Sequence, residues 1–408
     1  MDWLIVAVFA GVYFGMALGR WPGLAINRTG IAVIGALILL LAGAVNGDQA
    51  LASIDFATLS VLLTLMVLSS QYAASGFFDW IGNRITHLDL TPRGLLAGVI
   101  MICGGLSAVM TNDVVVWAVT PILISGVIAR GLDPKPFVIA VACAANAGSA
   151  ATLIGNPQNL MIAEFGQLDF IEFLMVCGVP ALIGLLTVYA VLVYGPMTRG
   201  ALQQVERIAA GSDATAVLPD RPMLIKAVAA TIAVILIFIL VDERALWCLL
   251  IVAMLLLSRR LGTDQVLGRV DWHLLALFCG LFIVTGAMSG DDVIAGFFRD
   301  ILITLHIDQP AVLVGLSLAG SNTIGNVPLV MMLLSLGPDW SQSMLHGLAV
   351  FSTLSGNFLI VGSVANIIAV EQAAKAGTVI SFTDYARLGV PITLISLVLA
   401  LGWMTLIS

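Results

Sequence analysis

The chain has 408 residues, 60% hydrophobic and only 10% charged, with mean hydropathy +1.08 and a formal net charge of −7. Soluble domains carry about 25% charged residues, so a soluble enzyme and a disordered chain are excluded, and the negative net charge excludes a nucleic-acid-binding protein. Apolar runs are continuous over about 20 residues rather than alternating, which excludes an outer-membrane barrel and leaves a polytopic helical membrane protein in a lipid bilayer.

In chain order the apolar runs predict spans near 3–19, 24–45, 57–75, 137–165, 170–196, 223–241, 245–258, 271–289, 344–370 and 385–407. Each can cross a hydrocarbon core of about 30 Å. Met1-Asp2-Trp3 offers no basic flank, so 3–19 reads as a retained span rather than a signal. Segments 93–130 and 309–337 are apolar but interrupted midway by polar triplets. With arms of about 14–17 residues they are too short to cross comfortably and read as re-entrant hairpins. Residues 77–88 and 291–306 read as interfacial amphipathic helices leading into each hairpin. Residues 198–222, with Pro196, Gly200, Gly211, Pro219 and Pro222 in or beside them, form a polar linker.

If both hairpins return to their side of origin, 15 of the 17 basic residues share one side and only Arg244 and Arg299 lie on the other. The positive-inside rule makes the rich side cytoplasmic, so both termini face outward from a plasma (inner) membrane. The five cysteines and four histidines show no metal-ligand spacing, so no metal site and no cofactor is expected.

The chain also repeats itself. Asp48-Gln49-Ala50-Leu51 recurs as Asp264-Gln265-Val266-Leu267, and Gly105-Leu106-Ser107 recurs as Gly315-Leu316-Ser317. Thr111-Asn112-Asp113 matches Ser321-Asn322-Thr323, Asn159 with Glu164 matches Asn366 with Glu371, and Gly178-Val179-Pro180 matches Gly389-Val390-Pro391. Five spans plus a hairpin per half, an odd span count, turn the second copy upside down. The predicted fold is therefore all-α, an inverted repeat of about ten transmembrane helices, two hairpins and two broken helices. Its halves are 1–197 and 223–408, joined by 198–222.

Four polar clusters fall at membrane depth: Thr111-Asn112-Asp113, Asn156-Pro157-Gln158-Asn159, Ser321-Asn322-Thr323 with Asn326, and Asn357 through Ser363 to Asn366. Non-helical backbone in hydrocarbon is tolerated only where it is buried or lines a cavity. Pro157 and the run Asn146-Ala147-Gly148-Ser149 favour half-helix ends at the midplane. N-terminal ends there suit an anion, whereas unwound carbonyls suit Na⁺ or H⁺. The candidate substrate and ion ligands are Thr111, Asn112, Asp113, Asn156, Gln158, Asn159, Ser321, Asn322, Thr323, Asn326, Asn357, Ser363 and Asn366, with Na⁺ placed near Asn112, Asp113 and Asn322. Asp113 is the only carboxylate expected deep in the membrane, and an embedded acid points to a Na⁺ ligand or proton carrier.

At these clusters the sequence resembles the ion transporter superfamily of arsenite pumps, citrate carriers, divalent-anion/sodium symporters and sodium/proton antiporters. Ser-Asn-Thr tips resemble the dicarboxylate branch. Asp113 at the first tip, Asn326-Val327-Pro328 and Gly362-Ser363-Val364-Ala365-Asn366 look closer to the arsenite-pump branch. The resemblance implies a static scaffold, a moving transport unit and a homodimer. It implies a secondary transporter, not an enzyme, for a small anion or oxyanion of the arsenite/antimonite or citrate/dicarboxylate kind, coupled to H⁺ or Na⁺. The alternatives are a sodium/proton antiporter, which would want more buried carboxylates, and an intramembrane hydrolase, for which no paired acids or serine–base couple is visible.

Overall fold

The computed structural model describes residues 2–21, 23–87, 90–195 and 218–407; the linker expected at 198–222 lies largely outside them. Among the described residues all the helices fall into two sets of ten in the same order. The first set is α1 Asp2–Leu18, α2 Arg28–Leu41, α3 Gly47–Ser53, α4 Phe56–Ala74, α5 Phe77–His87, α6 Pro92–Val109, α7 Asn112–Ala129, α8 Pro134–Ser149, α9 Pro157–Gly166 and α10 Phe170–Tyr194. The second is α11 Arg221–Leu240, α12 Arg244–Leu256, α13 Thr263–Leu267, α14 Trp272–Ser289, α15 Asp292–Thr304, α16 Pro310–Ser321, α17 Asn326–Leu336, α18 Gln342–Ser355, α19 Val364–Lys375 and α20 Phe382–Ile407, with a 3₁₀ turn at Ile360–Gly362.

Local chemistry repeats with the helices. The Gln49 amide oxygen accepts from Asn46 N at 2.9 Å before α3, and that of Gln265 from Gly262 N at 3.4 Å before α13. Asp55 caps α4 through Thr58 N and Asp271 caps α14 through Leu274 N, both at 3.0 Å. Proline in the first turn starts α6, α8, α9 and α16, where its missing N–H costs nothing.

Among the described residues seven helices are long and apolar enough to cross a membrane, and five shorter ones are apolar. The arms of the first hairpin, α6 and α7, run 18 residues each, longer than the sequence suggested, while α16 and α17 have 12 and 11. At 1.5 Å per residue an 18-residue arm reaches about 27 Å. The segment is nonetheless broken at its tip and closed at its base, where Arg130 Nη2 donates to Leu90 O at 2.6 Å.

Hydrogen bonds gather the helix ends into two faces. On one, Asp220 N donates to Ser75 O at 2.9 Å, Arg269 Nη1 to Ser70 O at 3.3 Å, Lys226 Nζ to Leu255 O at 2.9 Å and Thr29 Oγ1 to His273 O at 3.2 Å. The Arg28 end of α2 belongs to this face. Arg244, at the other end of α12, lies on the opposite one.

The broken helices form the centre. Every residue from Pro136 to Ser149 of α8, and from Leu345 to Ser355 of α18, is buried, as expected of helices surrounded by protein. α8 lies so close to α6 that a Cβ on Gly148 would stand 2.1 Å from Gly104 O. Only glycine fits there.

Candidate functional site

Each broken helix is held open by one amide. In the first, Asn159 Nδ2 donates to Ser149 O at 3.1 Å and Thr152 O at 3.0 Å, while Asn156 Oδ1 accepts from Asn159 N at 2.8 Å. In the second, Asn366 Nδ2 donates to Gly356 O at 2.6 Å and Leu359 O at 3.1 Å. Donor and both acceptors are shifted by 207 positions in the sequence. The same bracket thus satisfies the carbonyls that each break would otherwise orphan.

The two breaks are tied across the halves by a pair of hubs. Asn146 is fully buried. Its Oδ1 accepts from Asn112 Nδ2 at 2.9 Å and Ser363 Oγ at 3.0 Å, and its Nδ2 donates to Asn357 Oδ1 and Asn366 Oδ1, both at 2.9 Å. Two donors and two lone pairs are all an amide offers in this geometry, so the side chain is saturated. Thr353, 207 positions on, is the reciprocal hub. Its Oγ1 accepts from Asn156 Nδ2 at 3.3 Å and Gln158 Nε2 at 3.1 Å and donates to Asn159 Oδ1 at 3.4 Å. Each half's first arm therefore receives the other half's broken segment.

The tips depart from the sequence pairing. Asn112 opens α7 with its Oδ1 accepting from Asp113 N at 3.0 Å, and its N donates to Gly155 O at 3.1 Å. Its structural counterpart is Asn326, which opens α17 and accepts from Val327 N at 3.0 Å. Asn322 instead ends α16, donating to Leu318 O and Ser355 O, both at 2.9 Å, and accepting from Leu359 N at 3.1 Å. It staples the second tip to the second break. The reason is length: two residues separate α6 from α7, whereas four separate α16 from α17, including Gly325 at φ +97°. Ser321 Oγ donates to Ser352 O at 3.2 Å. Thr323 is exposed and turns back to Ala319 O at 2.8 Å, away from the cluster.

Thr111 and Asp113 go elsewhere. With Ser69, Pro157, Arg269 and Asp271 they line a cavity of about 340 Å³ that runs from the first tip to the face carrying Arg269. Ser69 is buried and, among the described residues, its Oγ has no hydrogen-bond partner. Thr111 makes no side-chain cap and, among the described residues, no hydrogen bond reaches the Asp113 carboxylate. These are the groups left free to meet a solute; the amides are occupied with one another. Asn146, Thr353, Ser69 and Arg269 were not among the expected ligands, although the 207-residue offset maps Asn146 onto Thr353. Glu164 near the end of α9 has a side chain only 12% exposed and stands 3.8 Å from Arg244.

Comparison with known proteins agrees with this architecture. The chain is 29% identical to a 46 kDa membrane protein of Mycobacterium leprae over 98% of this chain and 97% of that one. It is 26% identical to the silicon efflux transporter LSI3 of Oryza sativa over 95% of each chain. Against the putative transporter arsB of Dictyostelium discoideum the identity is 23% over 94% of this chain and 88% of that one. The crystal structure of the Alcanivorax borkumensis YdaH transporter shares the fold at TM-score 0.54 and 15% identity, covering 99% of this chain and 96% of that one. The citrate transporter (CitMHS) family model matches residues 4–339, and the chain is a transporter of that family.

Proposed function

We propose that the protein carries a small hydroxyl-rich oxyacid, uncharged at neutral pH and of the arsenous- or silicic-acid kind, by alternating access coupled to H⁺ or Na⁺. The observation that carries this reading is the charge of the cavity: Asp113 and Asp271 face a single guanidinium, Arg269. While Asp113 is free of its ion, a citrate anion would meet net negative charge, and each like-charge pair at about 4 Å costs about 4 kcal/mol at an effective dielectric constant of 20. A neutral oxyacid meets acceptors and hydroxyls instead. The silicon and arsB names of two relatives point the same way, and citrate or a dicarboxylate is the second choice.

Coupling requires a group whose ion affinity differs between the two access states. Asp113 is that group, since its carboxylate lines the cavity yet sits at the tip that the saturated amide network holds in place. The arginine-rich face is assigned to the cytoplasm of an inner membrane by its basic residues, with both termini on the other side.

The test is flux in proteoliposomes with arsenite, antimonite, silicic acid, citrate and succinate under H⁺ and Na⁺ gradients. Saturable, ion-driven movement of an uncharged oxyacid is expected, with Asp113→Asn losing the ion drive. Saturable citrate flux with no oxyacid flux would reverse the substrate assignment, and undiminished drive in Asp113→Asn would remove Asp113 from the coupling.

A further inference from the structure

The two halves carry the same pair of opposite charges, engaged in one half and apart in the other. At the start of α12, Arg244 Nη1 lies 3.8 Å from Glu164 Oε1, Nη2 donates to Leu168 O at 2.9 Å, and the guanidinium sits 5.1 Å from the Phe238 ring centroid. Both side chains are nearly buried, 10% and 12% exposed. The counterpart of Arg244 is Arg28 at the start of α2, whose Nε donates to Met16 O of α1 at 3.2 Å. The counterpart of Glu164 is Glu371 of α19. Glu371 is exposed and, among the described residues, makes no ion pair.

A cleft of about 280 Å³ lies where that second pair would close. Its walls include Arg28 and Thr29 on one side and Val361 and Ile367 on the other. Glu371 follows Ile367 by four residues on the same helix, hence on the same face. The open pair is on the face into which the deep cavity leads, since Thr29 bonds His273 beside the cavity residues Asp271 and Leu274. The closed pair is on the opposite face. There the equivalent pocket, walled by Gln49, Ser53, Thr285 and Asp291, touches neither tip nor break.

From these observations we infer that Glu164–Arg244 and Glu371–Arg28 are alternating latches. The first seals one face while the cavity opens to the other, and the second closes when the broken helices carry Glu371 to Arg28 and Glu164 leaves Arg244. A buried ion pair gains little net stability over its separated, hydrated partners, so two equivalent latches keep the two access states near balance. The inference rests on alternating access but not on the substrate, and its test uses no substrate.

The test places a reporter cysteine in the cavity wall, Ala73→Cys on α4, and follows its alkylation by a membrane-impermeant thiol reagent added on the Arg28 face of sided vesicles. The parent protein supplies the blank; four of its five cysteines are buried. Glu164→Gln should slow labelling about tenfold, because in the state with the open cavity it leaves the nearly buried Arg244 guanidinium without its counter-charge. Glu371→Gln should not slow it. Adding Glu371→Gln to Glu164→Gln should bring the rate back, since each state then lacks one latch, and the swap Glu164→Arg with Arg244→Glu should restore it too. Unchanged labelling in Glu164→Gln, slowing by both single variants, or no recovery in the double variant or the swap would each overturn the proposal. A static clamp predicts loss of stability without recovery on removing Glu371.

Discussion

Replacing Asn146 by alanine asks whether the amide cluster binds solute or holds the two halves together. The substitution removes four side-chain hydrogen bonds, to Asn112, Asn357, Ser363 and Asn366. Interhelical hydrogen bonds in membrane proteins average about 0.6 kcal/mol each, which gives about 2.4 kcal/mol for four. Buried donors and acceptors left unpaired raise the cost, although Asn357 and Asn366 keep their bonds to backbone carbonyls. The expected loss is about 3–4 kcal/mol. A 1 kcal/mol change moves the melting temperature by about 2–4 °C in a domain of 150–250 residues, and by less in a longer chain. A fall of about 3–6 °C in detergent, followed by size-exclusion thermostability, is therefore expected. Ser107→Ala is the control: that hydroxyl is fully buried and has no partner among the described residues, so its removal should leave stability equal or slightly higher. An Asn146→Ala protein that melts with the parent but no longer transports would refute the reasoning and make Asn146 a solute ligand.

Thr353→Val should cost less than Asn146→Ala, about 1–2 kcal/mol on the same scale, because the longest bond of its hub is 3.4 Å. Gly148→Ala should prevent α6 and α8 from closing, given the 2.1 Å approach of a Cβ to Gly104 O, and its signature is loss of monodisperse protein after extraction. Asp271→Asn keeps the cap on α14 while removing a charge from the cavity. Stability should stay within about 0.5 kcal/mol, and inhibition of flux by citrate should become easier to detect.

The repeat was legible because capping and helix-breaking residues recur with their spacing, and those residues also mark where helices begin. Asp55 and Asp271, Gln49 and Gln265, and Asn159 and Asn366 each perform the same local task in both halves. The tips misled for the converse reason. Matching by residue type aligned Asn112 with Asn322, yet the functional register of a tip is set by where the second arm starts, and two extra residues before Asn326 shift it. The equivalence of Asn146 and Thr353 is hidden in the sequence because they differ in type, and their shared partners across the halves reveal it. The Glu164–Arg244 pair joins residues 80 apart, each of which reads alone as a surface charge.

The symmetry is broken at the place where charge enters. Helix starts align Asn112 with Asn326, so the residue after each is Asp113 in one half and the buried Val327 in the other. The rest of the centre is built from neutral hydroxyls and from amides that satisfy one another, and it offers an ion no fixed charge. With one carboxylate on one tip, the proposed ion binding would depend on which tip the cavity reaches, and here the cavity reaches the tip that holds it. A second acid at Val327 would offer the ion equal purchase in both access states, and a ligand that binds both states equally shifts neither. Under the proposed coupling, that asymmetry is what would let an ion gradient act on a framework otherwise matched from half to half.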